Sequence, residues 1–146
     1  MNEGFEEWAE ILKSDPRFTI ASYSFIQETL ARAAQLGVAD ARAELFAADD
    51  PNGLRAHEGH ITGQELCEVA VDYAVERYGF MAKEVLHQLG IRKTGDLGDL
   101  VYNMIRFGLV SQAENDTRED FDDVFDLGAE LKRRFRFTYK DSTSRD

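Results

Sequence analysis

The sequence predicts a mainly α-helical domain with a small β element near its C-terminus, in the element order of a winged helix-turn-helix. Two observations carry this reading. Apolar residues recur at helical spacing through most of residues 4–36 and 63–105, punctuated by glycine and proline. Residues 133–140 instead alternate with period 2, the spacing of a strand. With 146 residues, 43% hydrophobic and 11% aromatic, the chain can bury a core without disulfide or metal, so residues 1–140 are read as one domain.

The first helix covers residues 4–13, with Phe5, Trp8, Ile11 and Leu12 on one face and Glu6, Glu7 and Glu10 opposite. Ser14-Asp15-Pro16 ends it, because proline disfavours helix at the residue before it. The second helix spans about Thr19 to Leu36, with Tyr23, Ile26, Leu30 and Ala33 as its stripe and Gly37 as its cap. Residues 38–60 are alanine-rich and weakly periodic, and they contain the turn signal Asp50-Pro51-Asn52-Gly53. They read as an exposed insertion, a target for proteolysis.

Thr62-Gly63-Gln64-Glu65 is a capping box that opens a third helix, ending near Tyr78-Gly79. A fourth helix runs from about Phe80 to Leu89, with Met81, Val85, Leu86 and Leu89 inward and Gly90 as cap. Thr94 caps a fifth, whose buried face is Leu97, Leu100, Val101, Met104 and Ile105. Leu109-Val110 and residues 121–127 suggest short strands, and 127–133 one or two helical turns before the basic strand. Residues 141–146 read as a disordered tail.

Charge is strongly segregated. The net charge is −11, yet residues 131–140 carry five cations and no acid. Residues 111–126, just before them, carry seven carboxylates and one arginine. On a strand, Arg134 and Arg136 would face away from Phe135, Phe137 and Tyr139. The aromatic face would then pack on the core, and the cations would meet the neighbouring acidic run as an internal clasp. The acidic balance repels nucleic acid and anionic membranes elsewhere on the surface. No apolar run reaches the roughly 20 residues of a membrane span. The single cysteine, Cys67, fits a reducing, cytoplasmic setting and reads as a buried, inert thiol.

Motifs for chemistry are sparse. His57-Glu58-Gly59-His60 resembles half of a metal site but lacks the further ligands of zinc motifs. No register of the acidic run places glycine and glutamate as a calcium loop requires. Gly95-Asp96-Leu97-Gly98 is glycine-spaced but follows no strand, so it is not a phosphate loop. In a DNA-binding reading, the helix from Thr94 would enter the major groove with Asp96 and Asp99 near its tip. Those carboxylates disfavour double-stranded DNA.

Several segments together resemble an uncharacterised family of short, acidic bacterial proteins. They are Asp15-Pro16-Arg17-Phe18, Tyr23-Ser24-Phe25, His60-Ile61-Thr62-Gly63-Gln64-Glu65-Leu66, Gly90-Ile91 with Thr94, and Arg118-Glu119-Asp120-Phe121 leading to Val124-Phe125-Asp126. The resemblance spans most of the chain except 38–56, the tail and the first few residues. It implies a compact unit and brings no activity, ligand or partner. Residues 38–56 form a longer connector than the family's.

The functional expectation is a non-catalytic, cytoplasmic protein-interaction or regulatory module, with a protein partner or a homo-oligomer and no cofactor. The first alternative is single-stranded nucleic-acid binding through Arg133, Arg134, Arg136, Phe135, Phe137 and Tyr139, with bases stacked on rings and phosphates on guanidinium groups. The second is a metal-dependent enzyme using His57 and His60.

Overall fold

The computed structural model describes residues 3–37, 61–110 and 117–143, with side chains over 6–37, 61–110 and 117–136. The chain order is α1 (Glu3–Ser14), α2 (Ile20–Gln35), α3 (Gly63–Tyr78), a 3-10 turn (Gly79–Met81), α4 (Ala82–Gln88), α5 (Thr94–Arg106), a second 3-10 turn (Arg118–Phe121) and α6 (Leu127–Thr143). The insertion at 38–60, including His57 and His60, lies outside the described residues, as do 111–116 and 144–146.

Helix α3 is the hub, packing against α2, α4 and α6. Its sequence suits this, because the buried Cys67, Ala70, Val71, Ala74 and Val75 are small enough to let several neighbours approach. The capping box that opens it is present: the Glu65 amide donates to Thr62 Oγ1 at 3.0 Å and the Thr62 amide to Glu65 Oε1 at 2.9 Å. Around α3 the core collects Tyr23, Phe25, Ile26 and Leu30 from α2, Leu86 from α4, and Leu97, Leu100 and Met104 from α5. Burial of each such side chain contributes roughly 1.5–3 kcal/mol before the entropy of ordering it is charged. Cys67 lies among them, and burial with nearby Glu68 pushes its thiol up to about 12, so it stays protonated at neutral pH.

Helix α1 is tied on through its C-terminal turn. Trp8 meets Tyr23 edge to face at 5.3 Å, and Arg106 donates to Ser14 Oγ at 2.8 Å. Asp15 accepts from Arg17 Nε at 2.9 Å and from Asn103 Nδ2 at 3.0 Å, which links this turn to α5. The Arg17 hydrogen bond is the main reason the Asp15 carboxyl sits below its ordinary pKa, with burial opposing and Asn103 assisting. A carboxyl whose pKa falls on folding adds stability above its unfolded value, and loses it as pH drops through the folded value. Asp15→Asn is therefore expected to flatten the acid limb. From about pH 4 downward the wild type should lose more stability than the variant, read as urea midpoints across pH. Parallel acid limbs would show that this pairing contributes nothing to folding.

The C-terminal β element is not found. Among the described residues there is no strand: Leu109-Val110 and most of 121–127 are turns and bends, and 133–140 belong to α6. The physical reason is a longer-range pattern. Leu127, Leu131 and Phe135 recur every fourth residue, and the first two are buried against the body of the protein. Asp126 supports the helix start by accepting from the Ala129 amide at 3.0 Å. Helical packing of that stripe overrides the short Arg-Phe alternation. Helix α6 also takes in residues 141–143 of the segment read as a tail.

The turn between α4 and α5 differs in detail from expectation. Thr94 does not cap α5. Its hydroxyl donates to the Phe121 carbonyl at 2.6 Å and accepts from the Val124 amide at 3.2 Å. Asp96 serves as the cap instead, its carboxylate accepting from the Arg92 amide at 2.9 Å and the Lys93 amide at 3.2 Å.

Candidate functional site

Helix geometry scatters the cations that a strand would have aligned. Arg134 turns toward α3. It donates to Asp72 Oδ1 at 2.8 Å, to the Glu68 carbonyl at 3.1 Å, to Glu130 Oε2 at 3.1 Å and to the Glu68 carboxylate. Its guanidinium also lies 5.7 Å from the Phe125 ring centre. Partial burial works against this charge, but Asp72, Glu68 and Glu130 more than offset it, so the guanidinium stays ionised. Arg134 is thus neutralised by α3 and by its own helix rather than by the acidic run. Among the described residues the acidic run makes no ion pair with α6; Asp122 is taken by Arg118 instead.

Arg133 makes a fork with Glu130 of its own helix, at 3.1 and 2.8 Å, on the open surface. Such exposed pairs contribute little. Arg134→Met, which keeps the stem and removes the head, is expected to cost about 1 kcal/mol, against nearly nothing for Arg133→Met. Urea unfolding of the two variants compares them directly. Equal effects would mean that the α3–α6 joint does not depend on Arg134. The side chains of Phe137 and Tyr139 lie outside the described residues.

Arg136 and Lys132 face a third direction. Together with Lys83 of α4 they border a groove of about 390 Å³ between α4 and α6. Its apolar lining includes Phe80, Ala82, Leu131 and Phe135, with Glu84 as the one acid. Phe80 and Phe135 stand 6.2 Å apart between ring centres, and Phe80 is 74% exposed. Met81, placed inward by its spacing, is 46% exposed beside it. The 3-10 turn explains this: it rotates Gly79–Met81 out of register with α4, so two large apolar side chains face solvent. Among the described residues, Lys83, Lys132 and Arg136 make no ion pair with a carboxylate.

The glycine-spaced start of α5 has a packing role. Gly95 faces Arg118 and Asp122, and Gly98 faces Phe121, so the second 3-10 turn lies directly on this end of the helix. Arg118 donates to Asp99 Oδ1 at 2.5 Å, and Arg17 donates to Asp99 Oδ2 at 2.9 Å. The tip of the helix that a helix-turn-helix would insert into DNA is thus covered and its carboxylates are paired. Among the described residues no group of three or more His, Cys, Asp or Glu is placed to hold a metal ion. No described helix is long and apolar enough to cross a membrane.

Of the predicted site residues, Arg134 and Arg133 are engaged within the fold, while Arg136 and Phe135 reach the groove. Phe80 and Lys83 are the groove residues that sequence reasoning missed, and Lys132 falls in the basic segment 131–140 but is not among its predicted contact residues. The available signal was the pair Phe80-Met81 directly after Gly79, where the turn of chain direction breaks the helical register. No protein-family model, no curated protein and no solved structure matches this chain.

Proposed function

We propose that this protein is a non-catalytic protein-interaction or regulatory module of the cytoplasm. The observation that carries the reading is the exposed Phe80 lining an apolar groove, with exposed Met81 next to it in the chain. Large apolar side chains grouped at a concave surface are costly to leave in water, and they characterise surfaces that are covered by a partner. The other conspicuous clusters already have structural work: Arg134 joins α6 to α3, and Arg17 and Arg118 bind Asp99. Buried, protonated Cys67 suits a reducing compartment.

The test is affinity capture from native lysate at low salt, paired with the solution mass of the purified protein. A salt-sensitive protein partner or a homodimer is expected. Finding neither would count decisively against the module reading.

A second reading is single-stranded nucleic-acid binding. The Phe80–Phe135 pair beside Lys132 and Arg136 favours it, since aromatic faces flanked by cations stack bases. Engagement of Arg134 by Asp72, Glu68 and Glu130 weighs against it. Fluorescence anisotropy with short RNA and DNA at low salt decides between the two. Absence of binding, or binding unchanged in an Arg133→Ala, Arg134→Ala, Arg136→Ala triple variant, removes the nucleic-acid reading.

A further inference from the structure

We propose that the α4–α6 groove receives a short acidic segment of a partner protein, with an aromatic or aliphatic side chain packed against the Phe80–Phe135 pair and flanking carboxylates against Lys83, Lys132 and Arg136. This rests on the interaction-module reading and specifies its partner.

The chain carries a net charge of −11, yet this groove is bordered by three cations and one acid. Two positions from Lys132 and from Arg136 on the same helix, Arg134 shows what happens where carboxylates are within reach: Glu68, Asp72 and Glu130 all engage it. Around the groove Glu84 is the one lining carboxylate, and among the described residues none pairs with Lys83, Lys132 or Arg136; an incoming acidic segment supplies those partners. The groove lining is mainly apolar, with Phe80, Ala82, Leu131 and Phe135 contributing to it. Gly128 lines it without a side chain, and Lys83 Cε and Asp126 Oδ1 lie 3.4 and 3.7 Å from where its Cβ would stand.

Size separates this occupant from other anions. The cations form a local patch on an otherwise acidic protein. A nucleic acid or an anionic membrane extends beyond that patch and meets the surrounding negative charge, which acts over a Debye length of about 8 Å at physiological salt. A short peptide places its few carboxylates inside the patch. A cavity of about 390 Å³ also suits one or two large side chains better than a planar bilayer surface.

The test is selection of a random-peptide display library on the intact protein, with two variants as controls. These are Lys132→Glu with Arg136→Glu, and Phe80→Ser. All three side chains are exposed, and circular dichroism checks that the fold persists. The enriched peptides are expected to carry excess Asp and Glu around an apolar anchor. Their affinity should fall at least about tenfold in each variant and weaken with salt, as rim charges require. Amide shift changes on titrating a selected peptide should centre on residues 79–84 and 128–136. A selected pool without acidic excess, affinity unchanged in the variants, or shift changes on another face overturns the assignment. So does tighter binding to phosphatidylglycerol vesicles or to a short poly-uridine RNA than to any selected peptide. The lysate capture separates the two levels. A partner that binds the wild type and the charge-reversed variant equally leaves the module reading standing and removes the groove. No partner, no homodimer and no selected peptide removes both.

Discussion

Gly90→Ala is expected to lower the unfolding free energy by about 3 kcal/mol, read as a large fall in the urea midpoint at unchanged slope. Two separate effects add at this position. Gly90 sits at φ +82°, in the left-handed region where a Cβ crowds its own backbone. Its Cβ would also stand 2.5 Å from the Arg17 carbonyl oxygen and 3.2 Å from the Phe18 ring. The first obstacle is backbone, which cannot swing aside as a side-chain tip can. Relief requires α4 to move away from the chain at 17–18, and that opens the hydrogen bond from Ser22 Oγ to the Leu89 carbonyl at 2.7 Å. Gly108→Ala is the matched control: its φ is +74° with nothing within 4 Å of the added carbon. It isolates the backbone effect, about 1 kcal/mol. If Gly90→Ala costs no more than Gly108→Ala, the close approach of residues 17–18 to the end of α4 is wrong.

Gly90 also marks the limit of what the sequence discloses. Its role as a helix cap is legible, because a glycine after Leu86 and Leu89 has a local explanation. Its contact with Arg17 is not, because nothing near either residue signals the other. The same division runs through the fold. Periodicity and capping place α1, α2, α3 and α5 within a residue or two, since one turn of helix sets the spacing of Leu66, Ala70 and Ala74 whatever lies opposite. The C-terminal helix is misread because the period-2 alternation at 133–137 is conspicuous, whereas Leu127, Leu131 and Phe135 spread their period over two helical turns. Only the packing of that stripe on α3 decides between the two. Charge behaves likewise. Proximity in sequence suggests that the basic segment meets the acidic run beside it, but Arg134 reaches Glu68 and Asp72 on a helix far earlier in the chain. The groove is the least legible feature of all. It depends on the 3-10 turn that exposes Phe80 and Met81, and on an α6 that exists only as a helix.

Gly98→Ala is the second large effect, expected to destabilise by about 2 kcal/mol although alanine is the better helix former by about 1 kcal/mol. The residue lies inside α5, where propensity alone predicts a gain. Packing reverses the sign. A Cβ there would meet Phe121 at 2.6, 2.7 and 2.9 Å, at the Cβ, Cγ and Cδ2 atoms. The Cβ is fixed by the backbone whatever the rotamer, so no rotamer change clears the 2.6 Å contact and the second 3-10 turn itself must shift. That movement loosens the Thr94–Phe121 hydrogen bond, the Arg118–Asp99 pair and the edge contact of Phe121 with Tyr102 together. Gly95, three residues earlier on the same face, is the counterexample. Its added carbon would meet only the tips of Arg118 and Asp122, both at 3.1 Å, and those tips can give way. Gly95→Ala is accordingly expected to stay within about 1 kcal/mol of wild type. A double-mutant cycle with Phe121→Ala, which removes the ring but keeps its Cβ, should recover about 1 kcal/mol of the Gly98→Ala cost. Additive effects would locate the strain somewhere other than the Phe121 ring. A Gly98→Ala protein as stable as wild type would mean that Phe121 does not seat on α5, and with it would go the physical reason for two glycines at the start of that helix.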